Sequence, residues 1–436
     1  MSEVAAATDG ELVGPDATVS GAAIDSRAIV PGQLFVPVIA ERDGHDFIPT
    51  ALAGGAAGYL TSRDAVDDGT AVVVGDTVAA LGRLGQHARR QSEGQVIGVT
   101  GSVGKTSVKD LLAAALAARW RTSASHRSFN NELGVPITLL NAPAATQALV
   151  VEMGARGVGH IKALCDIASP TVGVVTRVAA VHTEAFGTLD DVAVAKGELV
   201  EALPPDGVAV LNADDHRVAA MAGRTQARVV TFGAAGDVRA EQLVLDEELR
   251  PSFRLVSSWG NVPVSLRVRG AHMVDNALAA AAAALACDVP LDLLPPALAG
   301  AQLSPWRMDL IRTRAGGVVL NDAYNANPAS MTAALQALAA LPARRRIAVL
   351  GIMAELGARS EEEHLTIGAL ARELGVDVIG VEVVAYGGTT VASLDAVAES
   401  VGEVGDGVAV LLKGSRVAGL ERLVGVLTNL GDPPAG

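Results

Sequence analysis

The segment Thr100-Gly101-Ser102-Val103-Gly104-Lys105-Thr106 constrains this chain more than any other. It follows an apolar run, Val96-Ile97-Gly98-Val99, and precedes a helical pattern over residues 108–118. Strand, glycine-rich turn and helix in that order are the setting of a phosphate-binding loop. Glycines let backbone N–H groups turn inward around phosphate oxygens, and the following helix points its positive end at the same oxygens. Lys105 is then placed to reach the β- and γ-phosphates of a nucleotide, and the Thr106 hydroxyl to ligate Mg²⁺. The first glycine of the longer G-x-x-x-x-G-K-[ST] pattern falls on Val99, so the match is to the shorter T-G-x-x-G-K-T form. A bare glycine turn is often only a tight turn. The Lys-Thr pair and the strand–helix setting make nucleotide binding the better reading.

The remaining composition narrows the class. At 436 residues the chain has room for two to four domains with their own cores. The formal net charge of -14 argues against a nucleic-acid binder, which needs a basic face. Cys165 and Cys287 have no metal-type spacing and read as small buried hydrophobes in a reducing cytoplasm. No basic segment followed by an apolar run marks a secretory signal, and the run 277–287 is too short to span a bilayer. It reads as a buried alanine-rich helix. The expected location is therefore cytoplasmic, without membrane insertion. Only five of the 34 basic residues are lysines: Lys105, Lys109, Lys162, Lys196 and Lys413. A chain that otherwise uses arginine keeps lysine where a compact charge or a usable amine is required. That draws notice to Lys196 and Lys413, while Lys162 fits an ordinary surface residue.

Patterning divides the chain into an α/β protein of three parts. Residues 1–92 read as a small α/β unit with strands near 32–38 and 71–74, a helix over 47–57, and a polar linker at 89–94. Residues 93–312 carry continuous apolar runs at 95–100, 148–153, 171–178 and 207–212, the mark of a parallel sheet covered on both faces. The alternating stretch 238–268 reads as antiparallel strands with a turn near Gly260-Asn261. Residues 313–436 repeat the strand–helix alternation at 317–320, 346–351, 376–384 and 408–412, a Rossmann-like pattern without the G-x-G-x-x-G fingerprint.

In such sheets ligands collect at the carboxyl ends of strands. Glu152 ends one expected strand, and His182 follows another. With Thr106 they offer a hydroxyl, a carboxylate and an imidazole for a divalent cation. Singly each is weak, since Glu152 also suits a helix cap and His182 a loop; the coincidence carries the reading. Lys196 lies on an expected helix with Val192, Ala193, Leu199 and Val200 as its neighbours. An exposed lysine and one facing the phosphates stand level there. The polar loop Asn321-Asp322-Ala323-Tyr324-Asn325-Ala326-Asn327-Pro328 can place Asp322 and Asn325 on a ribose, base or phosphate, or can simply cap a helix.

Taken together the motifs resemble the Mur ligase family of peptidoglycan synthesis, closest to its D-alanyl-D-alanine-adding type. The resemblance runs along nearly the whole chain. It rests on Asp25-Ser26-Arg27, Asp43-Gly44-His45-Asp46-Phe47, the phosphate loop, Asn130-Asn131-Glu132-Leu133-Gly134-Val135-Pro136 and Glu152-Met153-Gly154-Ala155. It continues through His182, Ala195-Lys196-Gly197-Glu198, Leu211-Asn212-Ala213-Asp214-Asp215, Asn276-Ala277-Leu278-Ala279, Arg307-Met308, residues 324–328 and Leu412-Lys413-Gly414-Ser415-Arg416. It implies a UDP-sugar domain, a central phosphate-loop ATPase domain and a closing third domain. The implied activity is ADP-forming amide synthesis from UDP-N-acetylmuramoyl-tripeptide, D-alanyl-D-alanine and ATP with Mg²⁺, by a monomer.

The resemblance also implies roles. Lys105, Glu152, His182 and Lys196 are the catalytic set. Thr106, Glu152, His182 and Lys196, the last as a carbamate, surround the metal. Thr100 to Ser107, with Asn276, Arg307, Asp322 and Asn325, hold ATP. Ser26, Arg27, Phe47, Asn130, Asn131, Asn327, Lys413, Ser415 and Arg416 face the other substrates. Three places depart from the family pattern: Ile352 stands for an acid, Met273 for an asparagine, and the 41–45 segment is one residue short. Two rival readings follow. One is a relative such as a folate polyglutamate ligase with another amine. The other is a nucleotide-dependent binding protein that hydrolyses ATP without ligation.

Overall fold

The computed structural model describes residues 1–66, 69–179 and 186–428. Its three principal sheets follow one another along the chain, with a smaller antiparallel sheet between the second and third.

The first sheet has the order β1-β5-β4-β3-β2, with β1 (Glu11–Val13), β2 (Ala22–Ala23), β3 (Leu34–Phe35), β4 (Gly58–Thr61) and β5 (Ala71–Val73). Only β1 runs antiparallel to its neighbour. The helix expected over 47–57 is shorter, Ile48–Ala53, because Gly54 and Gly55 end it. Half of the expected linker at 89–94 is helix. Helix α1 (Thr77–Gln91), started by the Asp76 carboxylate on the amides of Val78 and Ala79, runs through Arg89 and Arg90. Arg89 Nε donates to the Ala168 carbonyl of the next domain at 3.0 Å. The polar composition there is a solvated helix end.

The second sheet is parallel throughout, in the order β11-β10-β9-β6-β8-β7. Its strands are β6 (Gln95–Thr100), β7 (Thr122–Ala124), β8 (Ala148–Glu152), β9 (Val172–Val175), β10 (Val208–Asn212) and β11 (Arg228–Phe232). The apolar runs are uninterrupted because both faces are covered. Ile97, Val99, Val150 and Val174 face one cluster with Val108 and Leu111 of α2 (Lys105–Ala117). Val96, Leu149 and Val151 face the opposite side, against Ile161 and Leu164 of α3 (His160–Ala168) and Leu199 of α4 (Leu189–Glu201). The alanine-rich helix is α5 (His272–Ala286). It packs against α2, and all nine residues from Ala277 to Leu285 are buried.

The antiparallel sheet is β12 (Arg239–Leu245), β13 (Pro251–Ser257) and β14 (Gly260–Ser265). Its tight turn is Ser258-Trp259, two residues before the expected Gly260-Asn261, since Gly260 already pairs with Ser257. The third sheet has the order β15-β16-β20-β17-β18-β19. It comprises β15 (Asp309–Arg312), β16 (Val318–Asn321), β17 (Arg345–Leu350), β18 (Asp377–Val381), β19 (Thr389–Val391) and β20 (Val408–Lys413). Antiparallel β15 belongs to it, on the N-terminal side of the expected boundary at residue 313. Helix α6 (Pro328–Ala340) follows β16. No described helix is long and apolar enough to cross a membrane.

Candidate active site

The chain runs from β6 past β8 to β7 and from neighbouring β9 the other way to β10, so the strand order reverses between β6 and β9 and a crevice opens at their carboxyl ends. A cleft of about 620 Å³ occupies that crevice, roofed by loops of the third domain. Its floor is the 101–107 loop. Gly101 and Gly104 have φ of 147° and 85°. A Cβ on Gly101 would meet the Thr176 hydroxyl at 1.9 Å, and one on Gly104 the Asn276 Oδ1 at 2.5 Å. Glycine is therefore required at both for conformation and for space.

Several polar groups hold this loop in shape. Thr176 Oγ1 donates to the Val103 carbonyl at 2.6 Å, and Ser102 Oγ donates to the Ala179 carbonyl at 3.0 Å. Thr100 is fully buried, donates to the Met153 carbonyl at 2.8 Å, and does not line the cleft. Lys105 Nζ lies over the loop and donates to the Gly101 carbonyl at 2.9 Å. Burial lowers the Lys105 pKa; Glu152 opposes that shift and Arg307 adds to it.

At the end of β8, Glu152 is buried. Its Oε2 accepts from the Thr106 hydroxyl at 2.7 Å and its Oε1 from Asn130 Nδ2 at 2.8 Å. Two oxygens at that spacing suit adjacent corners of an octahedral Mg²⁺ shell, which lie about 2.9 Å apart for bonds of about 2.0–2.1 Å. Among the described residues no three His, Cys, Asp or Glu side chains cluster for a metal. The pair would hold two positions of such a shell. His182 lies outside the described residues.

Lys196, on α4, lines the same cleft and is 2 % exposed. Among the described residues no carboxylate pairs with it. Desolvation, then the nearby Lys105 charge, pushes its pKa well below the usual lysine range, so the amine is held toward its neutral form. Chain scarcity of lysine pointed to it; its burial decides against an ordinary exposed helix residue.

The roof is built differently. Lys413 Nζ, 1 % exposed, pairs with the Asp322 carboxylate and donates to the Asn325 carbonyl at 3.0 Å. Asp322 Oδ1 also accepts from the Met308 amide at 3.2 Å. Asn325 Oδ1 takes the Ala326 amide at 2.9 Å. Asn327 caps α6 in a reciprocal pair with Ser330. Ser415 Oγ accepts from the Ala354 amide at 2.9 Å. All five line the cleft, with much of their hydrogen bonding spent on one another and on backbone. Asn131 likewise takes the Gly134 amide at 3.0 Å.

The sequence reading missed an aromatic bridge across the roof. Arg416 stacks on Trp306, Trp306 on Tyr324, and Arg307 on Tyr324, at 4.2, 6.5 and 4.3 Å. The Tyr324 hydroxyl bonds Ser128 of the central domain. With aromatics only 3% of the chain, Trp306 and Tyr324 so close to Arg307 were the available signal. It also missed Asp275, next to Asn276 on α5, which faces Arg177 across the cleft wall at 3.9 Å. Asn276 itself is turned toward Gly104, its Nδ2 on Met273 Sδ at 3.2 Å. Ser26, Arg27 and Phe47 do not line the cleft; they lie on the first domain, where Arg27 forks onto Asp25 and Arg42 covers the Phe47 ring.

Comparison with known proteins agrees with this geometry. Residues 99–284 match the Mur ligase middle domain, and residues 306–416 the Mur ligase, glutamate ligase domain. A UDP-N-acetylmuramoyl-tripeptide–D-alanyl-D-alanine ligase of Mycobacterium tuberculosis is 44% identical over 387 residues, covering 81% of this chain and 75% of that protein. A crystal structure of MurF from Acinetobacter baumannii superposes with a TM-score of 0.89 at 30% identity, covering 98% of each chain. The MurF ligase of Thermotoga maritima, solved in complex with ADP, gives 0.84 at 27% identity, over 95% of this chain and 99% of that one. This chain belongs to the Mur ligase family, among its UDP-N-acetylmuramoyl-tripeptide–D-alanyl-D-alanine ligases.

Proposed function

We infer that this protein is an ATP-dependent, ADP-forming ligase that joins D-alanyl-D-alanine to UDP-N-acetylmuramoyl-tripeptide in peptidoglycan synthesis. The observation that carries the reading is one cleft holding the phosphate loop, the Thr106–Glu152 oxygen pair and a desolvated Lys196 under the third domain's roof. A carboxylate is a poor electrophile at neutral pH, and phosphorylation gives it a leaving group. The tripeptide carboxylate attacks the γ-phosphorus, the bond to the bridging oxygen breaks, and ADP departs. The dipeptide amine then attacks the acyl carbon, and phosphate leaves as the amide forms and the nitrogen sheds its protons.

Each named residue has a physical part in this. Lys105 sets a positive charge beside the γ-phosphate, where two anions must meet. Thr106 and Glu152 would hold Mg²⁺, which supplies charge neutralisation at the phosphate oxygens. Lys196 in its neutral form is competent to take up CO₂ as a carbamate, converting an amine with no acid partner among the described residues into an anion facing the cleft. Asn276 is placed against Gly104, and Arg307 toward the same phosphates. Ser26, Arg27 and Phe47 belong to the uridine side; Asn130, Asn131, Asn327, Lys413, Ser415 and Arg416 frame the acid and amine. The protein acts in the cytoplasm, as a monomer.

The test is phosphate release from ATP and Mg²⁺ with UDP-muramoyl-tripeptide, with and without D-alanyl-D-alanine. Release that needs both, with a product of the added dipeptide mass, is expected. Turnover with the tripeptide and another amine would keep the ligase but change its substrate, with the partly exposed Ile352 the first residue to examine. Turnover indifferent to every acid and amine would leave only an ATPase.

A further inference from the structure

Lys109 is the one buried lysine to which the chemistry above gives no part. It lies one turn after Lys105 on α2 and is 2 % exposed. A buried ammonium is strongly destabilising unless it is paired and hydrogen-bonded. Lys109 has such partners, and all lie together. Its Nζ donates to the Ser125 carbonyl at 2.8 Å and the Arg127 carbonyl at 2.9 Å, and stands 2.8 Å from Asp110 Oδ1. The other Asp110 oxygen accepts the Ser304 amide at 2.7 Å.

These partners lead to the Glu152 side of the cleft and to its roof. The 125–131 loop is held in an unusual shape, with Arg127 at φ 50°. Ser125 Oγ accepts the Glu152 amide at 3.1 Å, and Asn130 binds the Glu152 carboxylate. Ser128 bonds Tyr324 of the third domain, and Phe129 packs on the first domain's core. Ser304 begins the stretch that carries Arg307 and Met308 over the cleft.

We propose that Lys109 and Asp110 are positioning residues that carry the placement of the nucleotide helix to the acid-substrate loop and the roof. Neither lines the cleft, so neither touches a reacting atom. Lys109 fixes the two carbonyls that shape residues 125–131, and Asp110 fixes the start of the 304–308 crossing. The geometry separates two tasks. The phosphate loop keeps its glycines and Lys105 without them, whereas the acid loop and the roof lose their tie to it.

The proposal rests on the ligase reading, so wild-type turnover with both substrates is measured first; its failure would remove the reading itself. Lys109→Met and Asp110→Ala are then compared with Asp110→Asn, whose side-chain carbonyl can still accept the Ser304 amide. The expected result is a KM for the UDP-sugar substrate raised roughly tenfold or more in the first two, about 1.4 kcal/mol or more by the free-energy equivalence of tenfold in an equilibrium constant. ADP affinity, read by calorimetry, stays near the wild-type value, and Asp110→Asn, which keeps the Ser304 bond but turns its Nδ2 onto the Lys109 ammonium, recovers part of the loss. Equal weakening of nucleotide and UDP-sugar binding, or a lowered melting temperature with both constants unchanged, would overturn it. If Lys109→Met does not fold, the Asp110→Ala and Asp110→Asn pair decides by the same criterion.

Discussion

Lys196 and Lys413 are both almost wholly buried, both line the same cleft, and are opposite in kind. Lys413 pairs with the Asp322 carboxylate and donates to Asn325, so its charge is spent inside the third domain. Lys196 has no described acid partner and a like charge nearby, so its amine is held toward neutrality. Burial of a lysine therefore says little until its counter-charge is known. The difference extends to the two halves of the cleft. In the floor Lys105 is held by a single loop carbonyl, and Thr106 donates to Glu152, whose other oxygen takes Asn130. Asp322, Asn325, Asn327 and Ser415 in the roof are largely engaged with each other and with backbone.

The contrast breaks if the floor tolerates change. Lys105→Ala is expected to lower ligation roughly 10⁴-fold, because the γ-phosphate loses its counter-charge. Phosphate release reads this directly, and near-normal release would remove Lys105 from the chemistry. Lys196→Ala is expected to lose roughly 10³-fold, with part of it restored by short carboxylic acids that replace a carbamate. An unaffected variant would return Lys196 to the role of a packed helix residue.

Lys196 also sharpens the contrast through pH. Its folded pKa lies below the unfolded value, so between the two the unfolded chain binds the extra proton and burial costs stability. That cost diminishes as pH rises toward the unfolded value of about 10.4. Lys196→Met is therefore expected to melt higher than wild type at pH 7, by a margin that narrows at pH 9. Melting curves at both pH values check the sign. Lys413→Met should do the reverse. It strands the Asp322 carboxylate and is expected to cost roughly 3 kcal/mol, read by denaturant unfolding. Least is expected from Asn327→Ala. Loss of the α6 cap costs about 1 kcal/mol. If kcat and every KM stay unchanged, Asn327 is scaffold; a raised KM for the dipeptide would make it a substrate contact as well.

These two lysines also show how far the sequence could be read. The phosphate loop and the central strands were legible because their causes are local. Strands covered on both faces give unbroken apolar runs, and the loop needs glycine at fixed offsets. The observed β8, β9 and β10 lie inside the expected runs, ending up to three residues short of them. Glu152 was visible as the end of one such run. Its bond to Thr106, 46 residues away, depends on where β8 lies beside β6, which the pattern alone does not state. Lys196 stood level between two readings because its helical neighbours are apolar in either case. Lys109 was illegible for another reason: its carbonyl partners belong to a loop, and any residue type supplies a carbonyl. The polar loop at 321–328 could be recognised as polar, but side chains bonded to backbone look in sequence like side chains awaiting a ligand. Arg89 and Arg90 misled in the same way, since a solvated helix end and a linker share a composition.

Helix α5 gives the chain's alanine bias a use. Alanines between α5 and α2 let the two backbones approach closely, and helix separation follows the side chains at the contact. They act as a shim of fixed thickness, setting the gap between Asn276 and the nucleotide loop. A larger residue on this face, at Ala280 for instance, would need no contact with ATP to weaken its grip: it would widen the jaw that holds it.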